Sequence, residues 1–115
     1  MMTTGDQTAA RRQAIRAKIE SLDLRLFPAW SEMAELSGDT VIDLVEIFDD
    51  EIIWDGEKFS ILVNVYVTLS YPDDEMSDVF PATIEGHMKS GSVMIDRVTF
   101  DTSSFYYSHG IKRAQ

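Results

Sequence analysis

The longest regular pattern in the chain is KFSILVNVYVTLSY, in which Phe59, Ile61, Val63, Val65, Val67, Leu69 and Tyr71 recur at every second position. Lys58, Ser60, Asn64, Thr68 and Ser70 hold the alternate positions, joined by Leu62 and Tyr66. A period of two is that of a β-strand with one face on a core and the other near water. Upstream, TVIDLVEIFDDEIIW is also rich in branched and aromatic residues, but its alternation slips between Phe48 and Glu51. One extra residue reverses which side chains face inward, so the slip predicts a bulge or break at Asp49–Asp50. Asp55–Gly56 then supplies a hairpin turn.

After Tyr71 the acidic stretch PDDEMSD reads as a loop, followed by VFPATIEGHM as a strand. In that strand Phe80, Ala82, Ile84, Gly86 and Met88 share one face, with Val79, Thr83, Glu85 and His87 opposite. Pro81 has no amide to donate and predicts an edge or a bulge at its position. The turn KSGS leads into VMIDRVTF, the last strand.

The period is helical only near the start. Residues 1–7 read as a frayed leader, and Asp6 or Thr8 can cap the first free amides of a helix. Ile15, Ile19, Leu22 and Leu26 then follow at spacings of four, three and four, a single helical stripe. The pattern breaks at Phe27–Pro28, and Pro28 opens a second, short helix, PAWSEMAEL, with Trp30, Met33 and Leu36 on its buried side. The expected fold is therefore α+β: an N-terminal helix and a short second helix packed on a curved, four-stranded antiparallel meander. One domain spans 8–107, and 108–115 form a C-terminal tail.

Charge narrows the function. The net charge is −10, and between Glu32 and Glu85 fifteen acidic residues face one base, Lys58. Binding a nucleic-acid backbone directly needs a positive surface, so this field points to a basic protein partner or to a solvated acidic face. The chain holds no cysteine, which removes disulfides, thiolate metal sites and cysteine nucleophiles. No apolar run approaches the roughly 18 residues of a membrane helix, and the start lacks the apolar core of a signal peptide. A cytoplasmic protein is expected.

Candidate chemistry is sparse. His87 and His109 lie far apart and in no metal-ligand spacing, and no nucleophile-elbow pattern surrounds Ser103 and Ser104. An EF-hand register counted back from Gly56 places Ile53 at a ligand position, where it cannot ligate. Asp73, Asp74 and Glu75 suit a solvated turn better than a cation site. No catalytic, cofactor-binding or metal-binding residue is assigned. A helix-plus-sheet scaffold can also enclose a small-ligand or enzymatic pocket, as cone-like folds do, and that alternative stays open.

The segment FPATIEGHMKSGSVMIDRVTFDTSSFYY resembles the end of a small domain appended to bacterial PIN-like nucleases and predicted Piwi-associated nucleases of defence islands. The residues that carry the likeness are Phe80-Pro81-Ala82, Ile95-Asp96-Arg97-Val98 and Asp101 to Tyr106. VNVYVTLSY resembles that domain's central strand, so the likeness covers about residues 40–107. No nuclease domain accompanies it in this chain. The resemblance implies an accessory or regulatory module and lends no catalytic residue.

The closing DTSSFYY admits two readings. Asp101, Thr102 and Ser103 can bond backbone amides and end the sheet, with Phe105 and one tyrosine folding back as a latch. Alternatively, the rings form a docking surface. The expected function is a non-catalytic interaction module that meets a basic partner through Asp49, Asp50, Asp73, Asp74 and Glu75, with Tyr106 and Tyr107 as aromatic anchors. An acidic mimic of DNA in a nuclease groove is a special case. An open edge strand also leaves pairing with a second copy available.

Overall fold

The computed structural model describes the backbone of residues 4–108 and the side chains of residues 9–105. Helix α1 (Thr4–Ser21) leads through a single 3-10 turn (Leu24–Leu26) into the short helix α2 (Trp30–Ala34). Strands β1 (Asp39–Ile47), β2 (Ile53–Asp55), β3 (Lys58–Tyr71), β4 (Asp74–Lys89) and β5 (Ser92–Phe100) follow, and helix α3 (Ser103–Ser108) ends the described chain. The sheet is antiparallel in the order β1-β3-β4-β5, with β2 extending the β1 side of β3. This is the α+β meander that the periodicity predicts. No helix among the described residues is long and apolar enough to cross a membrane.

The inner face of the sheet is the one read from the sequence. Phe59, Ile61, Val63, Val65, Val67 and Leu69 of β3 and Phe80, Ala82, Ile84 and Met88 of β4 are all buried. The helices cover this face with Ile15 and Ile19 from α1 and Met33 and Leu36 around α2. Directional contacts fix the layers. Thr40 Oγ1 donates to the Met33 carbonyl at 2.9 Å, and Tyr71 Oη donates to the Leu36 carbonyl at 2.8 Å. Trp30 meets Phe100 edge-on with ring centroids 5.7 Å apart, and the Arg11 guanidinium lies 5.7 Å from the Trp54 ring.

Leu26 departs from the expected stripe: it is 81% exposed, and Leu24 is buried in its place. The stripe assumed an unbroken helix, but α1 stops at Ser21 and Asp23 restarts the chain by accepting from the Arg25 amide at 3.0 Å. That restart rotates the following turn and turns Leu26 outward.

The break between Phe48 and Ile52 stands where the alternation slips, separating β1 from β2 along one edge of β3. A second irregularity falls at Asp43: Ile42 pairs with Val67 but Leu44 pairs with Tyr66, so Asp43 is an extra residue. The stretch PDDEMSD is a loop only at Pro72–Asp73, because β4 already pairs with β3 from Asp74 onward. Backbone pairing with a long neighbour outweighs the low strand preference of Asp and Glu there. Pro81 sits at a local edge. Its carbonyl accepts from the Asp101 amide at 2.8 Å, and β5 pairs with β4 only from Ala82 onward. The missing proline N–H points to that same side, where no strand requires it.

The closing segment is a latch at Phe105. Asp101 Oδ1 accepts from the Ser103 amide at 3.0 Å and from its hydroxyl at 2.6 Å, starting α3. Phe105 then folds onto the core with its ring 6.5 Å from that of Phe80. The side chains of Tyr106 and Tyr107, and all of 109–115 with His109, lie outside the described residues.

Candidate partner-binding face

The helices cover one side of the sheet and leave the other open. The bulge at Asp43 shapes this outer face, because it turns Asp43 and Leu44 outward in succession while Ile42 and Val45 both face the core. Leu44 therefore lines up with Tyr66 and, through it, with Val79 in one row across three strands. Leu44 is 59% exposed, and Val41, Leu62 and Val79 are also exposed on this face.

Carboxylates share this face with the row, Asp43 and Glu46 beside it and Asp39 and Glu75 further along at Ser70. Asp43 accepts from the Thr68 hydroxyl at 2.7 Å. Glu46 Oε1 accepts from Tyr66 Oη at 3.1 Å and from Asn64 Nδ2 at 3.4 Å. Glu75 meets the Ser70 hydroxyl at 3.5 Å. Among the described residues no cation pairs with Asp39, Asp43, Glu46 or Glu75. Neutral donors orient Asp43, Glu46 and Glu75, and each carboxylate keeps lone pairs free for a further donor. The hydrogen bond to Glu46, and then the Glu46 charge, hold the Tyr66 phenol above its ordinary pKa.

The opposite end of the outer face is different. There Arg97 Nε bonds Glu85 Oε1 at 2.9 Å, and His87 Nδ1 lies 2.9 Å from Asp96 Oδ2. These side chains partner one another. His87 is the half-exposed surface histidine expected of its strand position, and no nucleophile is bonded to it among the described residues. The Ser103 hydroxyl is spent on Asp101. No cluster of three or more metal-ligating side chains occurs among the described residues.

The acidic residues singled out from the sequence do not form one site. Asp49 bonds Arg16 of α1 at 3.2 Å and is half-buried, so it ties the turn after β1 to the helix, while Asp50 beside it is exposed. Asp73 is in the β3–β4 turn, Asp74 pairs with inner-facing Tyr71, and Glu75 belongs to the outer face. Nine residues of strand separate Leu62, beside the Asp49 turn, from Tyr71 at the tip, about 30 Å at the usual rise. Asp43 and Glu46 went unselected in the sequence. The signal was present as the odd spacing of three between inward Ile42 and Val45, which marks a bulge.

Between α1 and the sheet the space is filled by Ile15, Met33 and Phe80, each fully buried. Grooves lie at the rims, among them one of about 590 Å³ between the Ser21–Arg25 segment and β1. Comparison with protein-family models, curated proteins and solved structures finds no match to this chain.

Proposed function

We propose that the chain is a non-catalytic interaction module whose acidic outer sheet face docks a basic protein partner. The observation that carries this reading is the row Leu44–Tyr66–Val79, with Leu44 and Val79 exposed and Tyr66 half-buried, beside Asp43 and Glu46 and with Asp39 and Glu75 further along the same face at Ser70, none of these carboxylates paired with a cation among the described residues. Apolar side chains give such a contact its desolvated centre, and the carboxylates give it steering and register. The resemblance of the C-terminal half to a nuclease accessory domain nominates a bacterial defence or toxin–antitoxin nuclease as the partner class, met in the cytoplasm. Glu75 of the sequence-selected residues belongs to this face; Asp73, Asp74 and Asp50 contribute to the surrounding field, and Tyr106 and Tyr107 remain candidate anchors.

The test is capture of partners by the immobilised protein at low and high salt, beside a variant carrying D43K, E46K and E75K. A basic protein held by the wild type, released by salt and absent from the variant is the expected result. A partner held equally by both forms would overturn the acidic face as its site.

A further inference from the structure

We infer that the open edge of β1 is a strand-addition site for an extended partner segment in which basic and apolar side chains alternate. This rests on the acidic docking face proposed above and specifies how that face is used. Among the described residues β1 pairs only with β3, so its other edge leaves backbone donors and acceptors without a strand partner, although the Ile47 carbonyl at its end already accepts from Arg16 Nη1 at 3.3 Å. The groove of about 590 Å³ runs along this edge, since both inner-facing Thr40, Ile42 and Val45 and outer-facing Val41 line it. Leu22 and Leu24 form its opposite wall. The charges of that wall are closed on themselves, with Arg25 Nε 2.9 Å from Asp23 Oδ1.

A strand laid along β1 sends its side chains alternately to the two faces of the sheet. One set enters the groove against Leu22, Leu24 and Ile42, and apolar side chains fit there. The other set lies over the outer face beside Asp43 and Glu46, and basic side chains fit there. Strand addition thereby joins main-chain hydrogen bonds to an alternating side-chain code.

Charge selects against a second copy as the occupant. Two β1 edges paired with each other would bring the Asp39, Asp43 and Glu46 carboxylates of both copies together on one face, and like charges crowded across a strand pair destabilise it.

The test titrates the purified full chain with a peptide of alternating lysine and valine as long as the nine residues of β1. Two companions share its composition: one with lysines and valines in separate blocks, and one N-methylated at alternate residues. The expected result is binding of the alternating peptide, weakened at least about tenfold by N-methylation and by the block arrangement. Hydrogen exchange should slow in β1, and D43K/E46K should remove the binding. Equal binding of all three peptides, protection located away from β1, no binding at all, or dimerisation of the free protein through β1 overturns strand addition. If all three bind equally and all fail against D43K/E46K, the acidic face stands and only the strand mode falls. Undiminished binding to D43K/E46K overturns both.

Discussion

The ring of Phe59 lies across Gly86, its cross-strand partner, leaving no room for a side chain there. A Cβ built on Gly86 would come within 2.7 Å of Phe59 Cζ and would also collide with the Met94 carbonyl oxygen. A rigid ring and a backbone atom bound the space, so neither can yield cheaply. Beside this glycine, β5 carries an extra residue, because Glu85 pairs with Arg97 while Gly86 pairs with Ile95. Gly86→Ala should therefore destabilise the protein by about 1–3 kcal/mol, as overpacking does. Denaturant melts would measure it, and a stability equal to wild type would show that the close approach is absent.

Phe105 closes the sheet end where β5 has stopped and Phe80 would otherwise be uncovered. Its truncation to alanine should cost about 3 kcal/mol, the usual loss for a buried phenylalanine. Ser104, exposed in the same helix, is the control, and Ser104→Ala should stay within about 0.5 kcal/mol of wild type. A Phe105→Ala loss no larger than the control's would mean the ring is not part of the core.

Acid should weaken this latch. Hydrogen bonds from the Ser103 hydroxyl and then the Ser103 amide hold the Asp101 carboxyl below its ordinary value of 3.8. A depressed folded pKa gives stability that is present above 3.8 and lost as pH falls through the lower folded value. The stability difference between wild type and Asp101→Ala should thus narrow as pH drops from neutrality into that range. A constant difference across the titration would separate the carboxylate charge from the stability of the turn.

The β4–β5 turn carries a removable strain. Ser90 and Gly91 both have positive φ, 51° and 81°, the requirement of a type I′ hairpin. Serine tolerates that region poorly, whereas asparagine enters it readily. Ser90→Asn should raise stability by about 0.5–1 kcal/mol. A lower melting temperature for that variant would count against the turn geometry.

Legibility in the sequence followed how local each cause was. The inner faces of β3 and β4 were readable because a strand buried on one side repeats its apolar positions every second residue over ten or more residues. The break after Phe48 was readable as a slip in that period. Leu26 was misplaced because α1 stops at Ser21 and Asp23, accepting from the amide two residues on, starts a new turn where spacing alone would have continued the helix. The extension of β4 through Asp74 and Glu75 was hidden because its cause is β3 lying alongside, which local composition does not register. The outer face was hardest to read. Asp43 and Leu44 become neighbours of Tyr66 and Val79 only after the bulge and the pairing of three strands.

That outer face has a built-in reporter. Tyr66 donates its hydroxyl proton to Glu46 at 3.1 Å, and the bond and the carboxylate charge together oppose the phenolate. The Tyr66 pKa is therefore raised above 10.0 in the folded protein. A raised pKa favours the neutral phenol, so its contribution to stability is present below pH 10.0 and disappears as pH climbs through the folded value. In a titration followed by NMR at the Tyr66 ring, Glu46→Gln should bring the midpoint down towards the ordinary value. A basic segment docked against Glu46 should act in the same direction, because a cation beside the carboxylate offsets the field that opposes the phenolate. An unmoved midpoint in Glu46→Gln would mean the two side chains do not interact in solution. A midpoint that falls in the variant but not with the bound lysine–valine peptide would place that peptide away from Glu46.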